Sequence, residues 1–249
     1  MLPADFLTRP IAHRALHDKA AGRVENSPSA IQAAIDKGYG IEIDLQLSKD
    51  GEPMVFHDYA LNRLTNQTGA VSQRTAAELS QITLTGGNDT IPTLAEVLEQ
   101  VSGRVPLLIE IKDQDGALGP KVGPLEDATA ALLKDYIGSV AIMSFNPHSV
   151  AHMAKLLPDV PRGLTTCNYL AEDWPTIPKA TRERLAQFPD YETAGACFIS
   201  HQYDELDAER VSELAKTGAK ILCWTIRSTE QEKNARQIAD NITFEGYLA

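Results

Sequence analysis

The sequence predicts an α/β protein, a (β/α)8 TIM barrel with a small insertion after the second strand. Three observations carry this expectation. Short apolar runs alternate with amphipathic helical stretches along the chain, the pattern of a parallel sheet. Eight such strands can be placed, and 249 residues match the roughly 250 that a closed eight-unit barrel takes. The polar residues His13, Arg14, Glu42, Asp44, Glu110, Lys112, Ser144 and Trp224 all fall at downstream strand ends, which share one mouth in a barrel. A doubly wound open sheet is the competing architecture. It is disfavoured because no Gly-x-Gly-x-x-Gly follows the first strand and no P-loop occurs.

The first strand is short, Arg9-Pro10-Ile11-Ala12, and ends at His13-Arg14. Glu25-Asn26-Ser27-Pro28 opens a helix: Ser27 can cap it and Pro28 suits its first position. Its apolar stripe is Ala30, Ile31, Ala34 and Ile35, and Gly38 stops it. In the second strand Ile41, Ile43, Leu45 and Leu47 alternate with Glu42, Asp44, Gln46 and Ser48, so both carboxylates share one face. Lys49-Asp50-Gly51-Glu52-Pro53 makes a turn into Met54-Val55-Phe56, which ends at His57-Asp58. Residues 59–90 are polar and turn-rich, with one helical stretch near 75–79. This is far longer than the usual βα loop of about 2–6 residues and reads as an insertion at the mouth.

Thr93 and Glu96 stand in capping-box positions for the next helix. Strands are then expected at 105–111, 140–144, 162–165, 196–200, 220–225 and 242–244, and helices at 125–136, 147–157, 178–188, 207–217 and 229–239. Ser228 and Gln231 form a further capping box. No linker or low-complexity run divides these units, so residues 1–249 are expected to form one domain, with the insertion at about 59–90.

The formal net charge of -11 argues against nucleic-acid or anionic-membrane binding. Cys167, Cys197 and Cys223 are an odd set without zinc spacing, which suits reduced thiols in a cytosolic protein. No signal sequence and no run near the roughly 20 apolar residues of a membrane span is visible, so a cytoplasmic protein without a span is expected. The sequence leaves the oligomeric state open.

The chemistry lies in the acids. Glu110 ends a strand, Val105–Ile111, that is otherwise apolar on both faces and so suits a covered parallel sheet. Brought together without a cation, Glu42, Asp44 and Glu110 would repel by about 4 kcal/mol per close pair. A hard divalent ion, magnesium, calcium or manganese, suits such an all-oxygen set. The bland alternative for Ile41–Asp58 is an edge strand with a solvated polar face.

His13-Arg14, Glu25-Asn26, Glu42-Ile43-Asp44, Asp50-Gly51 before His57-Asp58, and Glu110-Ile111-Lys112, in this order and spacing, resemble the glycerophosphodiester phosphodiesterase family. The resemblance runs from His13 to Lys112, with weaker echoes at Ser144-Phe145, Cys223-Trp224-Thr225 and the closing strand. It implies a barrel that cleaves glycerophosphodiesters to sn-glycerol 3-phosphate and an alcohol with one divalent cation. By position it implies Glu42, Asp44 and Glu110 as metal ligands, His13 and His57 as the acid/base pair, and Arg14 and Lys112 as phosphate-side cations. Two departures stand out: Ala15 where the family usually has Gly, and Val24-Glu25-Asn26-Ser27 where it has Pro-Glu-Asn-Thr.

Elementary chemistry agrees with those roles. Phosphodiester cleavage needs a cation on the phosphoryl oxygens, a base and an acid, and two histidines with an ordinary pKa near 6.5 can divide the proton transfers. Glu25 is expected to orient Arg14 or a ligand, and Trp224 to wall the substrate pocket. Ser144 and Phe145 are read as barrel interior, and His17, His148, His152 and His201 as structural. The alternatives are a related phospholipase D-like lyase acting on lysophospholipids, with Tyr169, Leu170, Trp174 and Ile177 as its nearest apolar mouth residues, and a non-catalytic barrel that binds a phosphate ester.

Overall fold

The computed structural model describes residues 1–249. Eight parallel strands close into a barrel: β1 (Ile11–Ala12), β2 (Gly40–Leu47), β4 (Leu107–Ile111), β5 (Val140–Ser144), β6 (Arg162–Thr166), β7 (Phe198–Gln202), β8 (Lys220–Ile226) and β9 (Asn241–Phe244). Closure depends on β1, which pairs with β2 on one side and β9 on the other. The hairpin strand β3 (Pro53–Val55) is antiparallel to β2, and Gly51 in its turn has φ 88°, the region glycine enters most cheaply.

The alternation in β2 is used in an inverted sense. Ile41, Ile43 and Leu45 point outward into the main core between barrel and helices, and the acids point into the lumen. The lower lumen is sealed by Leu2 and Phe6 packed with Ile11, Leu108, Ala141, Phe198 and Leu222. Leu2 lies just before, and Phe6 within, a short helix, α1 (Asp5–Thr8), which the sequence pattern did not reveal because four residues hold no periodicity. The floor beneath the acids is therefore apolar and closed.

Helix α2 (Pro28–Lys37) starts and stops as its sequence dictates: the Ala30 N–H donates to Ser27 Oγ, and Gly38 has φ 73°. In the helix Leu94–Val101, Thr93 and Glu96 complete the capping box. Ser228 caps the last helix, Thr229–Ala235, but the Gln231 side chain accepts from the Arg227 N–H, so that box stays half-formed. The helices at 124–133 and 179–185 are shorter than expected.

Strand β7 sits two residues downstream of its expected place. The apolar run marks only its lower part; His201 continues it, with Nδ1 bonded to Thr166 Oγ1 at 2.8 Å and Nε2 donating to the Glu205 carbonyl at 3.2 Å. The segment 59–90 is an insertion with a small core of its own, in which Leu61, Val71, Leu79 and Leu84 pack on Met54 and Phe56. The outer face of β9 is covered by Tyr39 and Tyr247, whose rings lie 4.9 and 5.5 Å from Phe244. No helix is long and apolar enough to cross a membrane.

Phe6 is fully buried at the barrel floor. Phe6→Ala should lower unfolding free energy by about 3–5 kcal/mol, as expected for truncating a core aromatic ring. Urea denaturation of the two proteins checks this.

Candidate active site

The register between β2 and β4 sets Asp44 directly beside Glu110, and Glu42 lies two residues upstream on the same lumen face. One oxygen of each carboxylate falls within 4.8 Å of the others, and all three residues are buried. Their orientation is enforced from behind. Glu42 Oε2 accepts the Arg14 backbone N–H at 2.7 Å, and Asp44 Oδ2 accepts Asn26 Nδ2 at 2.8 Å. Lys112 Nζ lies 2.7 Å from Asp44 Oδ1 and 2.5 Å from Glu110 Oε1.

The first loop makes these contacts by winding left-handed: Arg14, Ala15 and Asn26 have φ of 51°, 64° and 60°. That region costs about 1–2 kcal/mol for a residue with a Cβ. Ala15 offsets part of this through its methyl group, which is buried in the main core where glycine would leave a gap. Arg14 is held by Glu25, with Nη1 donating to Oε1 at 2.7 Å, and Glu25 is shared with Arg63 of the insertion.

The charges do not balance. Burial pushes Glu42 well above the usual carboxylate range, and Asp44 and Glu110 add to the effect. Burial alone would raise Asp44 as well, but Lys112, His57 and Arg14 hold it low. Burial likewise opposes a charged Lys112, yet Asp44 and Glu110 keep it protonated. Three carboxylates thus face Lys112 and an Arg14 already engaged by Glu25. An all-oxygen set with surplus negative charge fits a hard divalent cation, and Glu42, Asp44 and Glu110 are the residues that would hold it.

The two histidines are mounted alike. His13 Nδ1 lies 2.6 Å from Glu245 Oε2, and Glu245 Oε1 accepts from Arg227 Nε at 2.8 Å. His57 Nδ1 lies 2.7 Å from Asp58 Oδ1, and Asp58 Oδ2 accepts from Arg63 Nε at 2.6 Å. In both, an arginine holds a carboxylate, the carboxylate holds Nδ1, and Nε2 remains for another partner. Burial lowers the His13 pKa; Glu245 opposes this and Arg14 reinforces it. Burial alone would raise Asp58, but the bonds from His57 and Arg63 keep it ionised.

His13, Arg14, Glu42, Asp44, His57, Glu110 and Lys112 all line one inner cavity of about 140 Å³, with Trp224 on its wall. Glu25 is outside it, behind Arg14. An outer cavity of about 660 Å³ shares His57, Glu110, Lys112, Phe145 and Trp224, and adds Tyr59, Arg63 and Trp174.

The model of the glycerophosphoryl diester phosphodiesterase family matches residues 13–241. The chain belongs to that family. A glycerophosphodiester phosphodiesterase of Caldanaerobacter subterraneus subsp. tengcongensis is 29% identical over 246 residues, 94% of this chain and 93% of that protein. An Oleispira antarctica phosphodiesterase, solved in complex with the product sn-glycerol-3-phosphate, superposes with a TM-score of 0.78 at 27% identity, covering 96% of this chain and 93% of that one. Lysophospholipase D GDPD1 of Rattus norvegicus is 33% identical over 133 residues, 48% of this chain and 41% of that protein.

Within this family member, the sequence pattern does not single out Glu245, Arg227 or Arg63, and it marks Asn26 and Phe145 without showing their contacts in the site. Glu245 follows the last strand at its downstream end, so the positional rule that singled out His13 also reaches it. Arg63 lies in the insertion, five residues after Asp58, and only the fold brings it to Glu25 as well. Phe145, read as barrel interior, lines both cavities. Ser144 is interior, its hydroxyl donating to the Ile111 carbonyl at 2.6 Å.

Because the Glu245 carboxylate favours the imidazolium, removing its charge should lower the His13 pKa further. Glu245→Gln should move the His13 titration to lower pH, read from its ring C–H resonance by NMR. A shift to higher pH, or none, would contradict the pairing.

Proposed function

We propose that the protein hydrolyses glycerophosphodiesters to sn-glycerol 3-phosphate and an alcohol, with residues 1–249 working as one barrel unit. The observation that carries this reading is the inner cavity, where the acidic triad, two cationic side chains and two Nδ1-anchored histidines meet. The product bound in the Oleispira antarctica relative supports it. Magnesium, calcium and manganese all suit the triad; when bound, the cation would stabilise charge on the phosphoryl oxygens.

Arg14 and Lys112 supply fixed positive charge on the phosphate side, oriented before substrate arrives. The hydroxyls of Thr165 and Thr243 line the same cavity, are buried and have no protein partner, so they can receive glycerol hydroxyls. His13, kept neutral at neutral pH by burial, is suited to take a proton through Nε2. In our reading it takes the proton of the glycerol hydroxyl next to the phosphorylated carbon. That oxygen bonds to phosphorus as the bond to the alcohol oxygen breaks, and His57 protonates the departing alcohol. Water then opens the cyclic phosphate: His57 removes its proton and His13 returns one to the ring oxygen. The internal hydroxyl should outrun free water, since effective molarities reach about 10⁵–10⁸ M.

A second reading, a phospholipase D-like reaction on lysophospholipids, draws on the rat relative and on the apolar cluster of Leu118, Tyr169 and Ile177 beside Phe145 and Trp174. An assay of glycerol 3-phosphate release separates the two. Glycerophosphodiesters should be cleaved, and chelation should abolish turnover; preference for lysophospholipids would favour the second reading. His13→Ala and His57→Ala should each reduce turnover by about 10²-fold or more with the fold intact. A substrate lacking only the vicinal hydroxyl should not be cleaved; cleavage equal to its parent would mean direct attack by water.

A further inference from the structure

The outer cavity contains a feature that cleavage of a phosphodiester does not require. Its wall away from the acids is aromatic. The Phe145 ring centroid lies 4.9 Å from that of Trp174 and 5.7 Å from that of Trp224. These rings are held in place: the Trp224 indole N–H donates to the Ser200 carbonyl at 2.9 Å, and buried Tyr169 backs Trp174 at a centroid distance of 5.2 Å. A wall fixed in this way needs little reordering to bind a ligand.

The field in the cavity is negative. Outside the cluster of Glu110 and Lys112, Asp58, Asp113 and Asp173 line it against Arg63. Both cations are already engaged, Arg63 by Glu25 and Asp58, Lys112 by Asp44 and Glu110. Asp173 has no such partner.

An aromatic lining and excess negative charge together select among alcohols. A polyol or a primary ammonium is strongly hydrated and would give up water against apolar rings. An acyl chain gains from the rings but nothing from the acids. A quaternary ammonium is weakly hydrated, positively charged and attracted to aromatic faces. The cavity runs from His57, Glu110 and Lys112 to Trp174 without a break, so an alcohol esterified to the phosphate reaches this wall.

We infer that the outer cavity is a subsite for a quaternary ammonium alcohol of the choline type, formed by Phe145, Trp174 and Trp224 with Asp173. This rests on the proposed reaction for the position of the phosphate, and two separate readouts keep the ideas apart. Both tryptophans of the chain, Trp174 and Trp224, line this cavity, so intrinsic fluorescence reports its occupancy without turnover. Choline should perturb that fluorescence at concentrations at least tenfold below its neutral isostere, 3,3-dimethylbutanol, and Asp173→Asn should narrow the gap.

In turnover, kcat/KM for glycerophosphocholine should exceed that for glycerophosphoethanolamine and for the 3,3-dimethylbutyl diester by about tenfold, the scale of a desolvated cation–π contact. Trp174→Leu should lower the choline-to-ethanolamine ratio toward one. Equal or better binding of the neutral isostere would overturn the proposal in favour of a merely apolar pocket. Cleavage of every diester with flat preference would overturn the subsite and leave the reaction standing. Selective choline binding without turnover of any diester would support the subsite and refute the reaction.

Discussion

Three carboxylates confined within 4.8 Å of one another in a buried lumen are the constraint on which the site depends. The parallel register of β2 and β4 brings them together, and the outward-facing isoleucines and leucines of those strands fix that register by their burial. Holding such a group apart from water demands partners. The left-handed first loop, the Asn26 amide, Lys112 and the Arg14–Glu25–Arg63 chain are the partners this sequence supplies, and they leave negative charge in excess.

Around that charge the molecule divides its tasks. The inner cavity is small and polar, with both histidines fixed through Nδ1 by carboxylates that are themselves fixed by arginines. Pre-oriented groups of this kind avoid reorganisation at the moment of reaction. The insertion contributes one half of this mounting through Arg63, and the end of β9 contributes the other through Glu245. The outer cavity is larger and mostly apolar, and its aromatic wall comes from the segments following β5 and β6 and from β8.

Much of this was legible in the sequence because it was written in local pattern. Two-residue alternation showed that Glu42 and Asp44 share a face, and Ser27, Thr93 and Gly38 marked helix ends with side chains that the structure uses as caps and stop. What was not legible depended on distant approach. Arg63 meets Glu25 only once the insertion folds back over the mouth, and Asn26 meets Asp44 only through the wound first loop. Phe145 and Trp174 are far apart in sequence, so an apolar reading of each alone could not show that they form one wall. Strand β7 runs two residues past its apolar stretch because His201, a polar residue, is buried on the helix-facing side, packed on Phe188 and hydrogen-bonded to Thr166.

The surplus charge of Glu42, Asp44 and Glu110 should hold one divalent cation. Calorimetric titration of chelator-treated protein with magnesium or calcium, followed by a melting curve, tests it directly. One ion should bind per chain, and the melting temperature should rise with ion concentration, since a ligand that binds only the folded state stabilises it. Glu110→Gln should weaken binding strongly and remove most of the rise. Absence of binding, or binding and stabilisation unchanged in Glu110→Gln, would contradict it.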